Sequence, residues 1–333
     1  MKYDLVGIGN ALVDIEVRVE DEFIKQNSLT KGGMTLSSEE EQEKILKELE
    51  GHVTKISSGG SAANTVHGVS VLGGQAYYLG SVANDLYGCH YTEDMQSCGV
   101  GFPGTGSGSS TTGTCVVLVS PDSERTMLTH LGVSSQLNTN NIDETIIRNA
   151  GMVYIEGYLW TGDGTRNAAL KLAEIAKKIK IPVAFTLSDA FVVTSFKNQL
   201  VDFIQRNVDI LFCNDVEAMA MAETKSIQEA FEVLKDMANT LFVTKGENGS
   251  WVSSSNKDKV EVDVFPAKKV DTTGAGDLYA AGALYGIIKK HSLKESAIIG
   301  SYCASEVVSH MGARISAHSH VSTKEIINSY YTS

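Results

Sequence analysis

Between residues 165 and 244 the sequence repeats one unit, a stretch with helical apolar spacing followed by a short β-branched or aromatic run. Ala169, Leu172, Ala173 and Ala176 put one apolar face on a helix over 165–179, which leads into a strand over 182–187. A further helical run precedes Asp209–Cys213, and a helix over 226–238 precedes Leu241–Thr244. Parallel strands need long crossover connections, and helices supply them. The alternation therefore predicts a doubly wound, mostly parallel sheet flanked by helices. Gly249–Ser255 and Val260–Phe265 read as an antiparallel hairpin at its edge. In such a sheet, ligands sit beyond the carboxyl ends of the strands.

The first half holds other elements. Residues 4–9 read as a buried strand, and 15–19 alternate with period two, as in a half-exposed strand. Ser38 and Glu41 form a capping-box pattern ahead of a helix over 39–49, with Gly51 as its stop. A second helix covers 61–72, with Val66, Val69 and Leu72 on one side. The segment Gly99–Gly113 is rich in glycine and serine, and β-type runs at 114–119 and 125–130 follow it at once. This predicts a flexible loop on a small two-stranded flap. The expected division is a large α/β domain (1–13, 37–105 and 132–333) with a small β lid (14–36 and 106–131).

Composition excludes some functions. The 333 residues carry a net charge of −12 without a Lys/Arg-rich block, which argues against a nucleic-acid surface. The five cysteines are scattered and show no metal spacing, so they read as reduced thiols in a cytoplasmic protein. Met1–Asp4 runs straight into a strand, so no signal peptide is expected, and no apolar run is long enough to span a membrane.

Four motifs carry chemistry. In Asp271-Thr-Thr-Gly-Ala-Gly-Asp277, Gly274, Ala275 and Gly276 open an apolar helix. Unpaired amides at such a start bind anions. Asp277 in the same turn suggests a base that takes a proton from an alcohol, although an acid there also stabilises a first helical turn. Gly59-Gly60 before a helix lets a ligand approach the backbone, and Asn64 offers a donor and an acceptor one turn later. Asn10 and Asp14 follow the first strand, where a carboxylate suits a vicinal diol. Gly7-Ile-Gly9 begins like a dinucleotide fingerprint, but Leu12 stands where the third glycine belongs. Asn214 and Glu217 share a helical face and suit either the water shell of Mg²⁺ or an ordinary N-cap. Thr244–Gly249 is a glycine-bounded turn that suits a nucleotide or a plain hairpin. Walker, G-x-S-x-G and H-E-x-x-H motifs are missing.

In this order the motifs resemble those of the PfkB family of carbohydrate and nucleoside kinases, over essentially the whole chain. Gly59, Gly60 and Asn64 match its first motif, Asn214 and Glu217 its N-x-x-E, and Asp271–Asp277 its D-T-x-G-A-G-D. Gly80, Asp85 and Gly88 fit a further glycine-rich segment in which Asn84 replaces the middle glycine. Within the family the chain is most similar to adenosine kinases, on Gly9–Asp14, Glu124–Met127, Glu156–Trp160 and Leu187–Phe191. The resemblance implies a ribokinase-like fold and transfer of the ATP γ-phosphoryl to a nucleoside 5′-hydroxyl. It implies Asp277 as base, Gly274, Ala275 and Gly276 around the phosphoryl group, and Arg125 reaching the phosphates from the lid. Asn10, Asp14, Gly59, Gly60 and Asn64 would hold the ribose, with Phe191, Tyr158 and Trp160 walling the base. Asn214 and Glu217 would order Mg²⁺ through water, and Thr244, Gly246, Gly249 and Ser301 would face ATP, with Ser301 where relatives often carry Asn or His. Asp271, Thr273, Gly312 and Ser316 match a K⁺ site of relatives, and simple loop packing is the other reading of those four. A sugar kinase, an inosine or guanosine kinase, and a non-catalytic binding protein stay open, as do monomer and homodimer.

Overall fold

A computed structural model describes residues 2–104, 110–122, 124–254, 258–315 and 322–332. The large sheet has eight strands, in the order Val260–Val262, Ser250–Ser254, Thr240–Thr244, Ile210–Asn214, Val183–Thr186, Val153–Glu156, Leu5–Ile8 and Ala76–Leu79. The six strands from Thr240–Thr244 to Ala76–Leu79 run parallel, and the other two add an antiparallel hairpin at one edge. Most central strands are buried along their length, as a sheet with helices on both faces requires.

Each face has its own apolar core. Helices Ser61–Val71, Ala275–Ile288 and Leu293–Val308 build one core with Tyr78, Phe212 and Phe242. Helices Asp163–Lys178, Ala190–Asn207, Asp215–Ala222 and Ile227–Lys235 build the other around Trp160, Phe185 and Phe203. Ser61–Val71 and Ala275–Ile288 are buried nearly all round, so neither shows the one-sided pattern of a surface helix. Asp163–Lys178 is amphipathic as predicted, with Ala169, Leu172, Ala173 and Ala176 buried.

The small sheet corrects the two-stranded flap. It has five strands, in the order Met34–Leu36, Arg125–His130, Gly113–Val119, Leu12–Arg18 and Val53–Gly59. Val53–Gly59 comes from the segment assigned to the large domain, and Leu12 and Val13 lie ahead of the expected lid boundary. Only Gly9 to Ala11 separate the strand Leu5–Ile8 of one sheet from Leu12–Arg18 of the other. Val53–Gly59 escapes the period-two test because it is an edge strand with Val53 and Ile56 exposed. Alternation along the inner strands sends Val116, Leu118 and Leu128 to a core with Ile24 and Ile45, and Cys115, Val117 and Met127 to the opposite face. The helix Glu39–Glu48 starts with the predicted capping box, in which Ser38 and Glu41 each accept from the other's backbone amide.

Candidate active site

A cleft of about 420 Å³ lies between the two sheets, within the size range of small-molecule sites. Its lining includes Asn10, Asp14, Gly60, Asn64, Arg125, Asn214, Glu217, Thr244, Thr273 and Gly274–Asp277. Residues far apart in sequence therefore converge beyond the strand ends.

The Asp277 turn is built by glycine. Gly274 caps the helix Ala275–Ile288 with φ 71°, a left-handed conformation that glycine adopts without strain. A Cβ on Gly274 would come 2.4 Å from the Ala313 carbonyl oxygen, so the chain at 313 packs directly behind the turn. A Cβ on Gly276 would meet nothing within 4 Å, which leaves room on that side for a ligand. The Ala275 amide is turned inward and donates to the Thr272 carbonyl at 3.3 Å. The other amides of this helix start have no helical carbonyl ahead of them and remain available to a ligand.

Both Asp277 oxygens are held. Ser61 Oγ donates to Oδ1 at 2.7 Å, and Asn64 Nδ2 donates to Oδ2 at 3.0 Å. Burial raises the Asp277 pKa to about 6 even though these bonds favour the anion. Burial likewise raises Asp14, to about 7. Gly59 lies against Asp14, for a Cβ there would come 2.3 Å from an Asp14 carboxylate oxygen. Gly60, with φ 95°, starts the helix that carries Ser61 and Asn64, and a Cβ there would come 2.2 Å from the Asn10 carbonyl oxygen. The buried Asn10 Oδ1 has no hydrogen-bond partner among the described residues.

Glu156 was not among the predicted site residues. Its carboxylate accepts from the Asn10 amide at 2.7 Å and the Ala62 amide at 2.8 Å, tying the first strand to the Gly59-Gly60 helix. Burial pushes it up to about 7. Ser61 and Arg314 were also missed, because a lone serine or arginine has no signal until its partner is located. The apolar roof of the cleft, from Leu12, Met34, Leu36, Met127 and Leu131, was missed as well. The period-two alternation in 125–130 could have revealed part of it.

Asn214 and Glu217 form a reciprocal cap. Asn214 Oδ1 accepts from the Glu217 amide at 2.8 Å, while the Glu217 carboxylate accepts from the Asn214 amide at 3.0 Å and its Nδ2 at 2.8 Å. The pair thus has the N-cap geometry and lines the cleft too. Burial raises Glu217 to about 8.

The other expected site residues do not all meet in the cleft. Arg125, on the small sheet and in the cleft lining, is buried between two acids, with Nη2 3.1 Å from Glu16 and Nε 3.2 Å from Asp271. Phe191 is 44% exposed and is not in the cleft lining, and Asp189 accepts from its amide as the N-cap of its helix. Trp160 is buried edge-on against Phe185 and Phe203, leaving Tyr158 as the one of the three expected aromatics that lines the cleft. Ser301 Oγ donates to the Asp263 carbonyl at 2.8 Å, and Ser301, Gly246 and Gly249 are outside the cleft lining. A Cβ on Gly249 would come 2.2 Å from the Val262 carbonyl oxygen, so that glycine serves the hairpin. Asp271, Thr273 and Gly312 do come together: the Asp271 carboxylate accepts from the Thr273 amide and hydroxyl and from the Gly312 amide. Ser316 lies outside the described residues.

Comparison with known proteins agrees with this geometry. Residues 34–320 match the model of the pfkB family of carbohydrate kinases. The chain is 29% identical to the adenosine kinase of Saccharomyces cerevisiae over 333 residues, covering 94% of this chain and 96% of that one. It is 28% identical to the guanosine-inosine kinase of Escherichia coli K12 over 77% of this chain, and spans 61% of the length of that relative. The crystal structure of adenosine kinase from Sinorhizobium meliloti superposes with a TM-score of 0.92 at 35% identity, covering 100% of both chains. The glycine-built anion turn with its buried acid, the ribokinase-like pair of sheets and these likenesses together establish that the chain belongs to the pfkB family of carbohydrate kinases.

Proposed function

We propose that the protein transfers the γ-phosphoryl group of ATP to the 5′-hydroxyl of a nucleoside, and that adenosine is its best acceptor. The observation that carries this reading is the two-sided cleft. One side presents the acids Asp277 and Asp14, and the roof presents Leu12, Met34, Leu36, Met127 and Leu131. A nucleoside matches both sides, because its ribose needs acceptors and its base needs apolar cover. A free sugar would leave the roof wet.

In this reading Asp277 takes the proton of the attacking hydroxyl, with Ser61 and Asn64 holding its carboxylate in place. Positioned base catalysis of this kind contributes about 10² to 10⁴ in rate. The first-turn amides of Gly274 and Gly276 face the charge on the transferring group. Asp14, Asn10 and Asn64 hold the ribose hydroxyls, with Gly59 and Gly60 allowing the close approach. Asn214 and Glu217 fit Mg²⁺ held through water, since their cap leaves carboxylate lone pairs at the cleft wall. When bound there, Mg²⁺ would supply positive charge to offset the phosphates. Arg125 lines the cleft, and its Nη1 has no hydrogen-bond partner among the described residues, so a donor remains for a phosphate. Thr244 supports an ATP position beside the same wall. The set around Asp271 fits K⁺ less well, because the Arg125 guanidinium already faces that carboxylate.

Turnover of adenosine, inosine, guanosine, ribose and fructose with Mg-ATP tests the assignment. We expect the highest kcat/KM for adenosine. A preference for inosine or guanosine, or for a free sugar, would replace adenosine and leave the kinase reading standing. No phosphorylation of any of them would overturn the kinase reading.

A further inference from the structure

Arg314 lies outside every motif described above, yet it reaches the Asp277 site. It follows Ala313, whose carbonyl packs behind Gly274, and its side chain crosses to the helix Ser61–Val71. Its Nε donates to Asn64 Oδ1 at 3.0 Å. Its Nη1 pairs with the Asp94 carboxylate on the helix Leu86–Ser97. The guanidinium also lies 5.8 Å from the ring centre of Tyr91, whose hydroxyl donates to the Gly59 carbonyl. Three partners on two helices thus fix its plane, and its side chain is only 11% exposed.

The bond to Asn64 carries a directional consequence. An amide side chain has one accepting end and one donating end. With Oδ1 engaged by Arg314, Nδ2 must point the other way, and there it donates to Asp277 Oδ2. Were Asn64 to flip, its oxygen would face a carboxylate oxygen and the contact would become repulsive. Asp94, Arg314, Asn64 and Asp277 therefore form one chain of alternating acceptors and donors.

We propose that Arg314, anchored by Asp94, is a positioning residue that sets the Asn64 amide so that it holds Asp277 in the attitude needed for proton abstraction. The inference rests on the reading of Asp277 as the base. It predicts that Arg314 acts on turnover through Asn64 and not through the general stability of the segment it sits in. Neighbours in one hydrogen-bonded network are non-additive, whereas independent effects multiply.

The test is a double-mutant cycle with adenosine and Mg-ATP, using wild-type protein, Asn64→Ala, Arg314→Gln, the double variant and Asp277→Asn. Melting temperatures are recorded for each. Arg314→Gln should lower kcat about tenfold, within the usual range for coupled neighbours, with the KM for ATP changed less than about twofold. In the Asn64→Ala background the same substitution should cost less than about twofold. Multiplicative losses, or a kcat unaffected by Arg314→Gln, would overturn the proposal. If Asp277→Asn instead keeps more than about a tenth of wild-type kcat, the base reading fails first and this inference with it. Should Arg314→Gln fold poorly, Asp94→Asn enters the same cycle from the more exposed end of the bridge. It should lower kcat in the wild-type background and not in the Asn64→Ala background, and multiplicative losses there overturn the proposal equally.

Discussion

An acid that takes a proton from an alcohol, the role proposed for Asp277, must be ionised and yet poorly solvated, and the surroundings of Asp277 suit both. Burial lifts its pKa to about 6, while the Ser61 and Asn64 donors favour the anion. The base is active when deprotonated, so kcat should fall as pH drops through about 6, and a rate profile from pH 5 to 8 will show that limb or its absence. Asp277→Asn should cut kcat by about two orders of magnitude or more and leave nucleoside affinity nearly intact by calorimetry, because only the base is lost. Gly59 supplies an independent check on the acceptor site. Gly59→Ala drives a Cβ into the Asp14 carboxylate, which must move. The KM for nucleoside should rise roughly tenfold or more, the worth of one charge-assisted hydrogen bond, and an unchanged KM would remove Asp14 from the acceptor site.

At the scale of elements, the large sheet was legible because its helices and strands carry strong, separate periodicities. Asp163–Lys178 and Thr240–Thr244 sit within a residue or two of their expected places. The motif residues that meet in the cleft were legible for a different reason: paired glycines and helix-opening acids are local signals whatever surrounds them. What stayed hidden depends on partners that only folding brings together. The strand Val53–Gly59 reads as neither face because its edge is half open, and Arg314 reads as a solitary basic residue until Asn64 is beside it. The place of Phe191 was not legible either, because whether an aromatic residue at a helix start lines a cleft depends on how that helix packs. The lining of the cleft yields its own prediction. Met127 lines the cleft and Phe191 does not, so Met127→Ala should raise the KM for adenosine several-fold while Phe191→Ala changes it little. The opposite ranking in steady-state kinetics would put the base outside the roof.

Across the whole molecule, the buried acids leave a mark on stability. Asp14 and Glu156 are raised to about 7 and Glu217 to about 8, from ordinary values of 3.8 for Asp and 4.5 for Glu. The folded protein therefore keeps protons that the unfolded chain has already released, and stability falls as pH rises through the folded pKa values. His67 works in the other direction, because burial pushes it down to about 3, but its effect ends above its ordinary value of 6.5. Between pH 6.5 and 8.5 the acids should dominate, and the ligand-free melting temperature should decline across that range. A flat or rising curve in a thermal scan would mean that these carboxyls are better solvated than the fold suggests.

The passage from Leu5–Ile8 into Leu12–Arg18 has a mechanical consequence. Three residues join the two sheets there, and Asn10 is one of them, with Asp14 two residues into the second strand. The side chains that would grip the acceptor are thus mounted at a joint between the sheets. Any swing of the small sheet turns the grip with it, and any ligand that fixes the grip also brakes the swing. Recognition and closure in this molecule would then be one motion read at two places, and lengthening the joint by a residue would uncouple them.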